Sequence, residues 1–244
     1  MEFLRRLVFE VDDRDVVALR EFDWRTMAPF AKSTDSESRL MKLLGSSGSP
    51  FVRKVRAFAM EKGIDLDYVL DRPSGPGSQI AELNPLCKMP VLVLDDGEVV
   101  YDSAVIVECM EGLKPEPKLV PADFRGRIAV RRWEALADGI TEATVNLSHG
   151  YGPMDDAEKR AAWNPRQEAK IERALATVQR AIAGRNWLHG TSITLADVAV
   201  GYAMAYVEAK LPAFERKKRF PGLVAYAERL LARPSFVNSD PRAG

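Results

Sequence analysis

Three short stretches of this chain set side chains where they could do chemistry together. In the first, Ser49-Pro50-Phe51-Val52-Arg53-Lys54 follows the turn Gly45-Ser46-Ser47-Gly48, so Pro50 falls at the first helical position and Ser49 at the N-cap. A serine there ordinarily satisfies the first turn. At the positive end of the macrodipole its hydroxyl can also donate a hydrogen bond to a thiolate held at that helix start. A free thiol has a pKa of about 8.5, and each unit of depression corresponds to roughly 1.4 kcal/mol of preferential anion stabilisation. The second stretch is Asn84-Pro85-Leu86-Cys87-Lys88-Met89-Pro90. Pro90 cannot donate to a sheet ladder and must stand at the mouth of the strand Val91-Leu92-Val93-Leu94. A cis Met89-Pro90 bond would turn the Met89 backbone outward to a ligand, whereas a trans proline at the strand's first position is the ordinary alternative. The third is Asp102-Ser103, an acid and a hydroxyl opening an apolar helical pattern through Ala104, Val105, Val107 and Cys109. Its free N–H groups and side-chain oxygens could grip an amine and a carboxylate.

The elements that must position these residues read as an alternation beginning at Met41. A strand (41–45), a helix (50–62) with an inward stripe of Val52, Val55, Phe58 and Ala59, a strand (66–70) and a short helix (77–83) come first. Two strands joined by a two-residue Asp96-Gly97 turn and a helix (103–112) follow. The order β-α-β-α-β-β-α is that of a thioredoxin-like domain over 41–112, its first two strands parallel and its last two antiparallel. The prolines Pro115, Pro117 and Pro121 mark a linker over 113–122. Beyond it, residues 123–237 read as an all-helical domain. Its long helices run from Phe124 to Leu147, carrying Ile128, Trp133, Leu136 and Ile140, and from Pro165 to Ile182, carrying Ile171, Leu175, Val178 and Ile182. Thr194 and Asp197 form a capping box for a third, stapled by Ile193 and Val198, and Tyr202, Tyr206 and Tyr226 belong to packing. The loop from His149 to Pro153 is predicted over the interdomain cleft, with His149 a solvated loop residue. The basic run Arg216-Lys217-Lys218-Arg219 reads as a solvated loop. Arg233-Pro234-Ser235-Phe236 reads as a helix stop, with a loose tail, 238–244, after it.

The chain has 244 residues, 46% hydrophobic and 29% charged, with zero formal net charge, enough length for two small cores. Neutrality argues against nucleic acid as a partner. Two cysteines and no bilayer-length apolar run predict a soluble protein of a reducing, cytoplasmic compartment, off the membrane. His149 and His189 have no metal-ligand spacing to either cysteine, so no metal is expected. Residues 1–40 end in the polar stretch Lys32 to Arg39 and read as an extension, disordered or not native, with Met41 as a candidate true start.

The three stretches, in this order, resemble the glutathione-binding domain of the glutathione S-transferase family, most nearly bacterial serine-type members of the YibF kind. Glu134-Ala135-Leu136-Ala137-Asp138-Gly139-Ile140 is similar as well, and the resemblance spans residues 41 to about 237. It implies a thioredoxin-like domain followed by a helical bundle, and glutathione as co-substrate. Ser49 would face the sulfur, and Phe51 would belong to the binding set. Met89, before a cis Pro90, would pair its backbone with the cysteinyl unit. Asp102 and Ser103 would hold the γ-glutamyl end, and Lys88 would reach the glycyl carboxylate. It further implies a hydrophobic electrophile in the interdomain cleft and a homodimer, with which Arg125, Arg127, Arg131, Arg132 and Trp133 are compatible. Cys87 stands where such members commonly carry glycine, as an inert small residue or a thiol near glutathione. An isomerase of the maleylacetoacetate type, a thiol reductase and a non-catalytic binding protein are the alternatives. Ser46-Ser47 supports the first, and Ser49 in place of a cysteine weighs against the second.

Overall fold

The computed structural model describes residues 40–73, 75–149 and 157–240. The expected extension lies outside these residues, except for Leu40. The elements then follow as β1 (Lys42–Gly45), α1 (Pro50–Lys62), β2 (Asp67–Leu70), α2 (Ile80–Leu83), β3 (Val91–Val93), β4 (Val99–Val100) and α3 (Ser103–Leu113). The strands lie in the order β2-β1-β3-β4, with β1 and β2 parallel and the other neighbours antiparallel. Successive strand residues face opposite ways. Leu43, Leu92 and Val100 therefore meet Val55, Phe58, Ile106 and Met110 of α1 and α3, while Leu44 and Val91 meet Ile80 on the other face.

Two local features differ from the sequence reading or refine it. The β3–β4 connection has three residues, not two. Leu94 and Glu98 still pair (N–H to carbonyl, 2.8 Å), leaving Asp95, Asp96 and Gly97 as the loop, with Gly97 at φ +89°. A three-residue hairpin needs one left-handed residue after a turn, and glycine supplies it. The loop ahead of Pro90 is built on Asn84, which is almost wholly buried. Its side-chain amide donates to the Lys88 carbonyl (2.7 Å), and its side-chain oxygen accepts the Leu86 N–H (3.0 Å). Cys87 closes the turn on the Asn84 carbonyl at 2.8 Å with φ +49°, and the Met89–Pro90 peptide is cis.

The helical part comprises α4 (Phe124–Ser148), α5 (Ala157–Ile182), α6 (Leu195–Lys210), α7 (Arg216–Arg219), α8 (Val224–Leu231) and α9 (Pro234–Val237). Helix α6 touches α1, α4 and α8, which is why residues 194–204 are buried without a break. Asp197 is fully buried and accepts the Leu188 N–H, the Thr194 N–H and hydroxyl, and the Tyr226 hydroxyl at 2.8–3.0 Å. Burial pushes its carboxyl up, against the pull of those donors. Tyr202 and Tyr206 are buried as packing residues.

Three expectations in this half are corrected. Helix α5 is already formed at Ala157, eight residues before Pro165, because Ala157-Glu158-Lys159-Arg160-Ala161-Ala162 are strong helix formers and outweigh an interior proline. The basic run is not a solvated loop but the one-turn α7. Arg216 is buried against Glu208, and Arg219 lies over Phe214 (4.3 Å) and pairs with Glu172 (2.8 Å). The stretch read as a helix stop forms a further short helix, and the tail expected to be loose from residue 238 is packed at Ser239. Pro234 starts α9, Phe236 stacks on Tyr202 (4.5 Å between centroids), and Ser239 is buried beneath the Tyr202 hydroxyl. Arg233 forks onto Glu61 (2.8 and 2.7 Å), and Arg53 and Arg56 donate to the Ser239 and Asn238 carbonyls, each at 3.1 Å. Burial raises the Glu61 carboxyl, but hydrogen bonds from Arg233 and Ser235 outweigh it and hold Glu61 below the ordinary glutamate range. The predicted loop over the cleft lies outside the described residues beyond His149, which is exposed at the end of α4.

Asp197→Ala strands four buried donors and should cost on the order of 3 kcal/mol or more in denaturant unfolding; a loss below about 1 kcal/mol would show the box to be dispensable. Cys87→Gly relieves a Cβ in the left-handed region. It should raise stability by about 0.5–1 kcal/mol, read as a melting-temperature increase of a few degrees, and a decrease would contradict the assignment of that strain.

Candidate functional site

Helix α1 begins where three elements converge. At the end of β1, a Cβ added to Gly45 would lie 2.4 Å from Val52 Cγ2 and 3.5 Å from Met89 Cβ, so only glycine lets α1's first turn and the Met89 loop approach this closely. The Ser46 N–H donates to Met89 Sδ at 3.1 Å, tying the turn before Ser49 to the residue before Pro90. The Gly45 carbonyl accepts the Tyr68 hydroxyl at 2.9 Å, which fixes β1's end from the β2 side. The first two sequence stretches are thus brought together.

Ser49 is the N-cap of α1, 9% exposed, and its hydroxyl oxygen accepts the Val52 N–H at 3.4 Å. The ordinary capping role is therefore met with the oxygen lone pair, and the hydroxyl hydrogen has no acceptor among the described residues. No acid stands in α1's first turn to offset the positive helix end. Phe51 is half-buried beside it, with the Lys54 ammonium 5.9 Å from its ring centroid. Met89 is half-buried, Pro90 is buried and Lys88 is exposed, its carbonyl held by Asn84.

Asp102 and Ser103 open α3. Asp102 is the exposed N-cap, accepting the Ala104 N–H at 3.1 Å, and Ser103 is buried. The pattern after them divides: Val107 is buried, whereas Val105 faces solvent. Between α3 and α4 runs a groove of about 450 Å³ lined by Ala104, Val105, Glu108, Arg131, Glu134 and Asp138. Two polar helix starts on adjoining elements, one capped by a hydroxyl and one by a carboxylate, can hold an anion and a zwitterionic end of one extended ligand.

Sequence reasoning missed the charges under this site. Lys54, 2% exposed, donates to Glu134 Oε1 (3.1 Å) and to both Asp138 oxygens (2.9 Å). Arg131 reaches Glu134 Oε2 (2.6 Å) and the Ala104 carbonyl (3.4 Å), and it pairs with Glu108, as does Arg127. Burial raises the Asp138 carboxyl; Lys54 opposes that, while Glu134 and Asp102 add to it. The signal was present: Lys54 stands four residues before Phe58 within the inward stripe, and Glu134 and Asp138 share one helix face at i, i+4.

Comparison with known proteins agrees with this architecture. The family model for the glutathione S-transferase N-terminal domain matches residues 48–113, and that for the C-terminal domain matches residues 161–229. The chain is 35% identical over 202 residues to the GST-like protein YibF of Escherichia coli, covering 82% of this chain and 98% of that one. It is 30% identical over 214 residues to a maleylacetoacetate isomerase of Pseudomonas aeruginosa, covering 82% and 96%. A glutathione S-transferase from Methylobacillus flagellatus, solved with glutathione bound, is 41% identical with a TM-score of 0.76, over 82% of this chain and 99% of that one. With a thioredoxin-like sheet, a helical domain and both family matches in order, the chain belongs to the glutathione S-transferase family.

Proposed function

We propose that the chain is a glutathione transferase in which Ser49 and the start of α1 hold the glutathione sulfur as its thiolate. The observation that supports this best is the state of Ser49: a nearly buried N-cap whose oxygen is engaged by Val52 and whose hydrogen is free to be donated. The thiol proton leaves to water. The thiolate then attacks an electrophilic carbon of a hydrophobic co-substrate, forming the C–S bond as the leaving group departs with the bonding pair. Met89 pairs its backbone with the cysteinyl unit, Phe51 flanks it, Lys88 takes the glycyl carboxylate, and Asp102 with Ser103 takes the γ-glutamyl end. The bound glutathione of the Methylobacillus relative supports the ligand. Two free cysteines fit a reducing cytoplasm. Among the described residues no helix is long and apolar enough to cross a membrane.

A second reading, isomerisation of the maleylacetoacetate type with the same bound thiolate, is favoured by the Pseudomonas relative. A homodimer is supported by the apolar side chains Val105, Phe124 and Ile128, which α3 and α4 leave exposed.

The protein should be retained on immobilised glutathione and conjugate a generic electrophile, and Ser49→Ala should bind but lose on the order of tenfold or more in turnover at neutral pH. Turnover equal to that of the unaltered protein would remove Ser49 from the chemistry, and binding without any turnover would make the chain a scaffold. Sedimentation should give twice the chain mass, and Ile128→Glu should shift it to monomer; a monomeric unaltered protein would contradict the dimer.

A further inference from the structure

The six charged side chains between α1, α3 and α4 balance: Lys54, Arg127 and Arg131 against Glu108, Glu134 and Asp138. Lys54 and Glu134 are buried while Glu108, Arg127, Arg131 and Asp138 keep part of their surface in solvent, and such a network is a poor source of stability, because exposed pairs contribute little and buried ones must first offset their desolvation. Its other property is direction. The guanidinium N–H groups donate along fixed directions and the Lys54 ammonium donates to three carboxylate oxygens of α4, so the network ties α1 and α3 to α4.

Two of its contacts lie beside the two ligand-holding helix starts. Lys54 is five residues from Ser49, next to Phe51, and reaches across to α4 through Glu134 and Asp138. Arg131, bound to the second oxygen of the same Glu134, grips the carbonyl of Ala104 in the first turn that Asp102 caps. Glu134 thus takes one cation from the side of the sulfur site and one from the side of the γ-glutamyl site. Helix α4 becomes the common reference for both ends of one ligand.

The geometry points to Lys54 as a positioning residue: through Glu134 and Asp138 it sets the spacing between the Ser49 and Asp102-Ser103 subsites and thereby the affinity for glutathione. This rests on the reading given under Proposed function. Lys54 touches no reacting atom, and its loss should act on binding before it acts on chemistry. A one-ångström error in spacing between two subsites forfeits simultaneous contact at both, which is worth on the order of ten- to a hundredfold.

The test is the dissociation constant for glutathione by calorimetry, together with KM and kcat, in Lys54→Met and Lys54→Arg. Lys54→Met should weaken glutathione binding and raise its KM roughly tenfold, with kcat at saturation within about threefold, and Lys54→Arg should restore most of the binding. A merely structural role would instead lower kcat through a smaller folded fraction and leave KM and the dissociation constant unchanged, and that result overturns the inference. Should Lys54→Met strand its carboxylates and fail to fold, the neutral triple variant Lys54→Met/Glu134→Gln/Asp138→Asn decides. The same weakening supports the role, and unaltered affinity overturns it. No glutathione binding by the unaltered protein would overturn the functional reading itself, and this inference with it. Binding by the unaltered protein with no change in the variants overturns this inference alone.

Discussion

Helix α1 is packed along most of its surface, and most of the architecture answers to that constraint. It lies between the sheet, α3, α6 and α9, so polar groups on its buried sides must find partners inside the protein. Lys54 finds Glu134 and Asp138, Lys62 finds Glu111 and the Pro117 carbonyl, and Glu61 finds Arg233 and Ser235. These partners come from the linker, α3, α4 and the C-terminal segment, so the helix that starts at Ser49 is anchored along its whole length. An N-cap serves as a binding site only if the helix behind it does not move, and here it is fixed at its start, middle and end.

The start of α1 owes its access to small residues and to one loop. Gly45 lets Val52 and Met89 approach, the Gly45-to-Gly48 turn leaves room before Ser49, and Asn84 shapes the Met89 loop from inside. The site's polar groups therefore rest on packing that contributes nothing to chemistry. The capping box at Asp197 does the same for α6, the helix against which both α1 and α4 are set.

Much of this was legible in the sequence because it depends on local signals. Proline at N1 after a serine set the start of α1 to the residue, and the spacing of Val52, Val55, Phe58 and Ala59 set its buried stripe. Pro90 pointed to a special peptide geometry, and Thr194 with Asp197 marked α6. The misses are tertiary. Lys54 was not read as part of a charge network because its partners, Glu134 and Asp138, lie on another helix far along the chain. Arg216 read as part of a solvated loop and Ser239 as part of a loose tail for the same reason, since their partners, Glu208 and Tyr202, lie elsewhere in the chain. The start of α5 was lost to a proline rule that strong helix formers overrode.

The account stands on the sulfur of bound glutathione being an anion at the start of α1. Ultraviolet titration of the thiolate in the complex measures that directly, against the same titration of the Ser49→Ala complex. The bound thiol should titrate one to two units below the free value of about 8.5, and about one unit higher in Ser49→Ala than in the unaltered protein. A bound thiol that titrates at its free value in both proteins would contradict the account.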